Sequence, residues 1–313
     1  MGTTPTAARS SGASEAVAKA LRGRRFDVRE LVFEGVLLLT LLISLGVLIT
    51  LLVDVIRTSL PAFSSHGSAF FSQSLSGSAE NAGIRQGLIG SMLLMLIVVV
   101  LAFPLGVGAA VYLEEYARAN WFTRLLVANV RNLAGVPSIV YGLLGLAIFV
   151  LFAGSFTGGL SVISGGLTLA ILVLPIVIIT SSEAVRAVPA SLREAAYGVG
   201  ATKWEVIRSH VLPYAAPGIL TGTILSLARA LGETAPLILV GAITGFFFVS
   251  SGSPIEQLRG PYTALPTIIF NWARLPGDDF KALTAAAIVV LMVLILLVNG
   301  LAIYLRNRYE RKW

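Results

Sequence analysis

The sequence predicts an all-α, polytopic membrane protein with six transmembrane helices. Of its 313 residues, 56% are hydrophobic and only 12% are charged, whereas soluble domains carry about 25% charged residues. The apolar residues fall into six long runs that lack the alternation of a β-strand. Because lipid offers the backbone no hydrogen-bond partner, runs of this kind must be helices.

The six runs have lengths that suit a bilayer. We predict spans at 33–56, 88–113, 125–152, 167–182, 216–241 and 282–305. The chain then divides into a basic tail expected to be disordered (1–30), a first span with its outer loop (31–87), a core of five spans (88–305) and a second basic tail (306–313).

Both termini are predicted to be cytoplasmic. With six spans the two tails lie on one side of the membrane, and the distribution of Lys and Arg identifies that side. About 16 Lys and Arg residues fall in the tails, the 113–124 loop and the polar loop 183–213, against about 5 in the remaining loops. The positive-inside rule therefore places the tails and the 183–213 loop in the cytoplasm. The protein itself is expected in the plasma or inner membrane.

The 183–213 loop is predicted to be helix–turn–helix. Two hydroxyl residues are each followed three residues later by Glu, the spacing of a capping box: Ser191 with Glu194, and Thr202 with Glu205. Gly200 lies between the boxes, where a left-handed residue ends a helix. Pro213 is expected to stop the second helix.

Arg229 and Glu233 suggest a contact for an anion. They lie four residues apart near the middle of the fifth predicted span, on a face of small and polar residues that includes Ser226. A charge at that depth is costly and must face protein or water. A guanidinium offers paired donors to phosphate, and Glu233 would hold Arg229 between passages. The alternative is a structural ion pair that fixes helix packing.

Arg131 starts a second polar face in the third predicted span. Ser138 shares this face with small residues that let helices approach closely: Gly135, Gly142 and Gly145. Arg131 could be a second anion contact near the cytoplasmic mouth. The simpler interpretation is a charge that extends to the membrane interface.

Several kinds of chemistry are excluded by what the sequence lacks. It has no cysteine, and its two histidines are far apart, so no metal site is predicted. It has no Gly-Lys dipeptide and hence no P-loop. No basic patch is interleaved with aromatic residues, which argues against nucleic-acid binding. Glu114 and Glu115 are expected to be a solvated pair at a span end. The chain is therefore predicted not to be an enzyme.

Three stretches resemble a known family. Glu194-Ala195-Ala196, Gly200 and Leu212-Pro213 resemble the EAA loop of ABC importer permeases, although His210 stands where an aliphatic residue is usual. The runs LARALGETAPL (227–237) and NLAGVPSIVYG (132–142) resemble the phosphate importer permeases of the PstA type. The resemblance extends from about residue 88 to the C-terminus.

The resemblance implies a type I ABC importer permease (MetI-like) fold and phosphate import by alternating access. It implies that the chain binds no cofactor and that ATP and Mg²⁺ are used by a partner ATPase. The EAA loop would sit in a groove of that ATPase, through Ser191, Arg193, Glu194, Ala195, Ala196, Gly200, Thr202, Glu205, Leu212 and Pro213. Charges such as Arg193 could equally be contact charges or a solvated surface.

The implied partners are an ATP-binding cassette ATPase dimer, a second paralogous permease of the PstC type, an extracytoplasmic phosphate-binding protein, inorganic phosphate and the lipid bilayer. Four alternatives stay open: the PstC-type permease itself, a sulfate or molybdate permease, an ion-coupled carrier without ATPases, and a membrane scaffold that transports nothing. Thr234-Ala235-Pro236 argues against the first. The absence of a convincing internal repeat argues against the third.

Overall fold

The computed structural model describes residues 28–242 and 254–309. Within them, an isolated bridge between Ala242 and Tyr262 is the one piece of regular structure that is not helical. The α-helices are α1 (Val28–His66), α2 (Ala69–Ser72), α3 (Arg85–Val111), α4 (Trp121–Ala134), α5 (Ser138–Gly145), α6 (Gly154–Thr157), α7 (Val162–Arg186), α8 (Ala190–Gly198), α9 (Lys203–Val206), α10 (Leu212–Gly232), α11 (Ala235–Leu239), α12 (Pro254–Leu258), α13 (Leu265–Trp272) and α14 (Asp278–Tyr309).

The described residues also contain three π-helical stretches and one 3₁₀ turn. The π-helical stretches are Tyr112–Tyr116, Leu146–Phe152 and Ile207–Val211, and the 3₁₀ turn is Ala79–Asn81. The chain divides into two units, 1–54 and 55–313. The described part of the first unit is a single apolar helix, the greater part of α1. The helix packing and the site described below belong to the second unit.

The predicted all-α membrane class is confirmed. Among the described residues, five helical segments are long and apolar enough to cross a bilayer: α1, α3, α7, α14 and the continuous segment Lys203–Gly232. The third predicted run, 125–152, forms two helices, α4 and α5 with its π-helical extension, bent by 102°.

The third predicted span is therefore bent and not one continuous helix, and Pro137 gives the reason. Proline has no N–H to donate and disfavours helical geometry in the residue before it.

The fifth predicted span, 216–241, is also displaced. Its helix begins at Lys203 and ends at Gly232, and Glu233 has an extended backbone with ψ of 125°. Pro236 explains this end, since a proline ring in a continuing helix would collide with the carbonyl four residues earlier, that of Gly232. The fourth predicted span, 167–182, is longer than expected and fills α7, Val162–Arg186.

Helices α3, α7 and α10 form the centre of the second unit, with α7 packed against the other two. Small residues let them approach closely, as membrane helices require. A Cβ atom at Gly106 of α3 would lie 2.6 Å from Cγ1 of Val177, and one at Gly218 of α10 would lie 2.8 Å from Cβ of Ala184. These crossings position the loop between α7 and α10.

The two predicted tails fall largely beyond the description. Residues 1–27 lie outside the described residues, and 28–30 begin α1. At the other end α14 runs to Tyr309, so four residues of the predicted tail 306–313 continue a helix. Residues 310–313 lie outside the described part of the chain.

Replacing Gly106 with leucine should destabilise the helix crossing, whereas the same change at Gly108 should not. Gly106 is buried against Val177, while Gly108, on the same helix, is exposed with nothing within 4 Å of its missing Cβ. Overpacking costs about 1–3 kcal/mol, so we expect Gly106→Leu to lower the melting temperature of the detergent-solubilised protein by at least about 3 °C. Equal melting temperatures for the two variants would contradict the crossing.

Candidate functional site

The first helix of the 183–213 loop, α8, begins without a side-chain cap. Its N-cap is Pro189, with φ −58° and ψ 138°, and the carbonyl of Pro189 accepts from the N–H of Leu192 at 3.2 Å. The predicted capping box of Ser191 and Glu194 is therefore wrong. The proline starts the helix earlier than expected, so Ser191 falls inside the first turn, where a residue no longer caps.

The turn after α8 has the hydrogen bonds of a Schellman motif. Gly200 has a φ of +86°, and its N–H donates to the carbonyl of Tyr197 at 2.9 Å. The N–H of Ala201 donates to the carbonyl of Ala196 at 3.1 Å. The predicted left-handed role of Gly200 is confirmed, because an L side chain there would be strained.

The second helix of the loop begins with the predicted capping box. The Oγ1 of Thr202 accepts from the N–H of Glu205 at 3.4 Å, and Oε2 of Glu205 accepts from the N–H of Thr202 at 2.7 Å. This box is confirmed. It fixes the start of α9 directly after the glycine turn.

The predicted stop at Pro213 is wrong. The helix that starts at Lys203 passes through the π-helical stretch Ile207–Val211 and continues in α10. Proline lacks an N–H, and a π-bulge is one of the recognised ways to accommodate a disturbance in the helical ladder. The second helix of the loop and a membrane-spanning helix are thus one continuous helix. Leu212 and Pro213 are half-buried at the junction.

The exposed surface of the loop differs in part from the predicted contact set. Glu194 and Ala195 are exposed, but Ala196 is only 4% exposed because it packs in the chain's own core. Three apolar or aromatic side chains that sequence reasoning missed project from the loop: Tyr197, Val199 and Trp204, of which Val199 is 86% exposed. The sequence could have indicated them, because apolar and aromatic residues beside the glycine turn stand out within an otherwise polar segment.

Arg193 is largely buried and is not part of a solvated surface. Its guanidinium donates to Oε1 of Glu115 at 3.1 and 2.9 Å and to the carbonyls of Val185 and Val188 at 2.9 and 2.6 Å. Those carbonyls lie at the end of α7, where a cation suits the helix dipole. The side chain of Arg193 is 22% exposed, so it is fixed within the chain.

Glu114 and Glu115 are not the solvated pair that was expected. Glu114 binds Arg186 through two hydrogen bonds of 2.7 and 3.2 Å, and Glu115 binds Arg193. Only 16% of the Glu114 side chain and 8% of the Glu115 side chain are exposed. Sequence reasoning missed both pairs, although two carboxylates and an arginine-rich loop were predicted on the same side.

Arg229 lies in the last turn of α10, not in the middle of a span. Its Nε donates to Oε1 of Glu233 at 3.3 Å, and its side chain is 49% exposed. The predicted contact with Glu233 is confirmed, but Glu233 reaches Arg229 from the extended residue after the helix. Ser226 is buried and its hydroxyl donates to the carbonyl of Gly222 at 2.9 Å, so it does not face an open pathway.

Arg131 and Ser138 do not share one helix face. Arg131 lies in the last turn of α4 and Ser138 in the first turn of α5, on either side of the 102° bend. Arg131 lines a cleft with Arg186, Glu114 and Glu183. Two carboxylates there offset two guanidinium groups, so the cleft offers an anion no net positive charge.

The small residues of the same predicted face do allow close approach: Gly142 packs against Pro236, and Gly145 against Thr168. Among the residues that the structure describes, no group of three or more His, Asp or Glu side chains is arranged to hold a metal ion.

Thr202→Ala should loosen the loop and Ser191→Ala should not. The first removes a side-chain cap, at a cost of about 1 kcal/mol, and the second removes a hydroxyl that caps nothing. We expect amide exchange in 199–211 to become about fivefold faster in Thr202→Ala, measured by mass spectrometry on the purified protein. Equal exchange in the two variants would show that the capping box contributes nothing to the turn.

The sequence and fold of this chain are similar to those of known transport proteins. The family model for binding-protein-dependent transport system inner membrane components matches residues 102–311. The phosphate transport system permease protein PstA of Yersinia pestis is 37% identical over 220 residues, covering 70% of this chain and 71% of that protein. The phosphate transport system permease protein PstC of Mesorhizobium japonicum is 29% identical over 314 residues, covering 92% and 93%.

Two solved transporters have the same fold. The inward-facing MetNI methionine ABC transporter matches with a TM-score of 0.55 at 20% identity, covering 73% of this chain and 95% of the solved chain. A bacterial alginate ABC transporter, solved with its periplasmic protein, matches with a TM-score of 0.63 at 15% identity, covering 90% and 95%. The predicted importer-permease fold is thereby confirmed. The chain belongs to the family of binding-protein-dependent transport system inner membrane components.

Proposed function

We propose that this chain is the PstA-type permease subunit of an ATP-driven phosphate importer, forms half of the translocation pathway and is coupled to a separate ATPase. The observation that carries the proposal is the exposed helix–turn–helix loop whose second helix continues into a membrane-spanning helix. The similarity to phosphate permeases supports phosphate as the substrate. The runs around Arg229 and Gly135 give the same indication from the sequence.

The loop is built to move as a rigid element. The Schellman turn at Gly200 and the capping box at Thr202 leave few free backbone groups in it. From Lys203 the same helix runs to Gly232, about 45 Å at 1.5 Å per residue. A displacement of the loop by an ATPase therefore reaches the Arg229–Glu233 pair along one helix.

Arg229 is the proposed anion contact. Its half-exposed guanidinium can present donors to phosphate, and it cannot lose its charge. Glu233 binds Arg229 when no anion is present, so an arriving phosphate exchanges one charged partner for another. That exchange limits the affinity of the site, which transport requires because the anion must also leave.

The remaining partners follow from the family. ATP and Mg²⁺ are used by the ATPase dimer, which docks on the 183–213 loop. The loop and both tails lie at the cytoplasmic side. A second permease of the PstC type completes the pathway, and an extracytoplasmic phosphate-binding protein delivers the anion. The solved alginate transporter with its periplasmic protein supports this arrangement.

One other function has an observation in its favour. The PstC of Mesorhizobium japonicum aligns with 92% of this chain, which keeps the second permease position of the same importer as a candidate. The Thr234-Ala235-Pro236 sequence argues for the PstA position. Labelled phosphate uptake in the presence of excess sulfate separates either phosphate permease from a sulfate permease, since sulfate should not compete.

Arg229→Ala should reduce phosphate uptake by at least about tenfold in vesicles that hold the complete importer. A charge-assisted hydrogen bond contributes about 1.5–3 kcal/mol, and this variant loses the guanidinium that would make it. Arg229→Lys keeps the charge but not the fork and should be intermediate.

Arg274→Ala is the matched control for that experiment, because it removes an exposed guanidinium that lies 5.2 Å from the centroid of the Phe270 ring. Its uptake should stay near wild type. Near-normal uptake by Arg229→Ala, with the complex still assembled, would refute the anion contact.

Trp204→Ala should weaken the attachment of the ATPase. Trp204 is 56% exposed on the loop, and truncation of a tryptophan at an interface centre costs about 2 kcal/mol or more. We expect far less ATPase to co-purify with the tagged permease. Phe156→Ala is the control, since Phe156 is 84% exposed and lies beside the opposite end of α7. Equal recovery of the ATPase with both variants would contradict docking at Trp204.

A further inference from the structure

A five-residue π-helical turn, Tyr112–Tyr116, prolongs α3 toward the 183–213 loop. Three consecutive residues of the turn, Glu114, Glu115 and Tyr116, contact three different helices in the loop region. We propose that these three contacts form a clasp that passes movement of the loop to α3, and that Glu114 and Glu115 are positioning residues for transport. The clasp rests on the proposed function, in which an ATPase moves the loop.

The first contact of the clasp joins α3 to the end of α7. Arg186 donates through Nη2 to Oε1 of Glu114 at 2.7 Å and through Nε to Oε2 at 3.2 Å. This is the two-pronged geometry that gives arginine–carboxylate pairs their directional specificity. It fixes the orientation of α3 about the pair as well as the distance between the helices.

The second contact joins α3 to α8, the first helix of the loop. Oε1 of Glu115 accepts two hydrogen bonds from Arg193, which also donates to the carbonyls of Val185 and Val188. Glu115 and Arg193 are 8% and 22% exposed. Because α8 carries the exposed Glu194 and Tyr197, the proposed docking surface and Glu115 are separated by a single short helix.

The third contact joins α3 to the second helix of the loop. The ammonium of Lys203 lies 4.9 Å from the centroid of the Tyr116 ring, within the range of a cation–π interaction. Lys203 is the first residue of α9, next to the Thr202 cap. Both helices of the loop are therefore attached to the same turn of α3.

The clasp supplies a directional connection between α3 and the loop. Helix α10 continues the second helix of the loop and moves with it, but α3 is distant in sequence. Apolar side chains of α3, among them Phe103, Val107 and Val111, pack against the core of the loop. Apolar contacts are non-directional, so they permit sliding, whereas paired ions select one register.

The test exchanges the charges of the Glu114–Arg186 pair in the complete importer reconstituted in vesicles. The measured quantity is phosphate taken up per ATP hydrolysed. We expect Glu114→Arg and Arg186→Glu to lower this ratio by at least about threefold each, with the ATPase still bound. The double variant restores the pair with reversed charges and should return to within about twofold of wild type. Asp278→Asn, which breaks the exposed pair with Lys281, should change nothing.

A distance measurement separates transmission from a merely structural contact. The chain has no cysteine, so spin labels can be placed at Gly108→Cys on α3 and Ala190→Cys on α8, both exposed. We expect their separation to stay constant within about 2 Å between the nucleotide-free and the ATP-trapped complex, and to change by more than that in Glu115→Gln.

The outcomes distinguish the two proposals. Wild-type uptake that does not depend on the ATPase would overturn the proposed function, and the clasp with it. ATP-driven uptake in which the Glu114 and Arg186 single variants keep the wild-type ratio, or in which the double variant is no better than either, would overturn the clasp alone. A label separation in Glu115→Gln that stays as constant as in wild type would also overturn it.

Discussion

Every backbone N–H and carbonyl in the apolar part of this chain must find its partner within the chain, because lipid supplies none. In the polar 183–213 loop, where water can also supply partners, the helix ends still find theirs within the chain. At Gly200 the free carbonyls of α8 accept from the glycine turn. At the end of α7 the carbonyls of Val185 and Val188 accept from Arg193. The helix ends in the loop are therefore satisfied by the loop's own residues, and its rigidity follows from that.

Prolines show how much of this architecture a sequence discloses. Pro104, Pro175 and Pro217 lie inside continuous helices, while Pro137 stands at a 102° bend. Pro213 follows a π-helical stretch and leaves its helix unbroken. The local effect of proline is the same in each case: it has no N–H to donate, and its ring conflicts with the carbonyl four residues earlier. The outcome depends on whether neighbouring helices can accommodate the disturbance, and neighbours are not visible in a local pattern.

Local features of the site were predictable and long-range ones were not. The cap at Thr202, the left-handed Gly200 and the contact of Arg229 with Glu233 each depend on residues within five positions of one another, and all three are present. Ser191 failed as a cap because Pro189 started the helix first. The Glu114–Arg186 and Glu115–Arg193 pairs join residues 72 and 78 positions apart. A single sequence shows both partners, but nothing in it states that α3 and the loop meet.

The buried position of Glu115 bears on what such a pair contributes. Removing a carboxylate and a guanidinium from water costs free energy that their attraction in the interior only partly returns, so a buried pair is weak support for stability. Its four hydrogen bonds through Arg193 reduce that cost but do not turn the pair into a substitute for apolar packing. What the pair supplies is a single allowed register between α3 and α8. The helices of this protein must move relative to lipid and to one another, and a fixed register at one junction determines which of them move together. Apolar contacts alone would not provide that constraint.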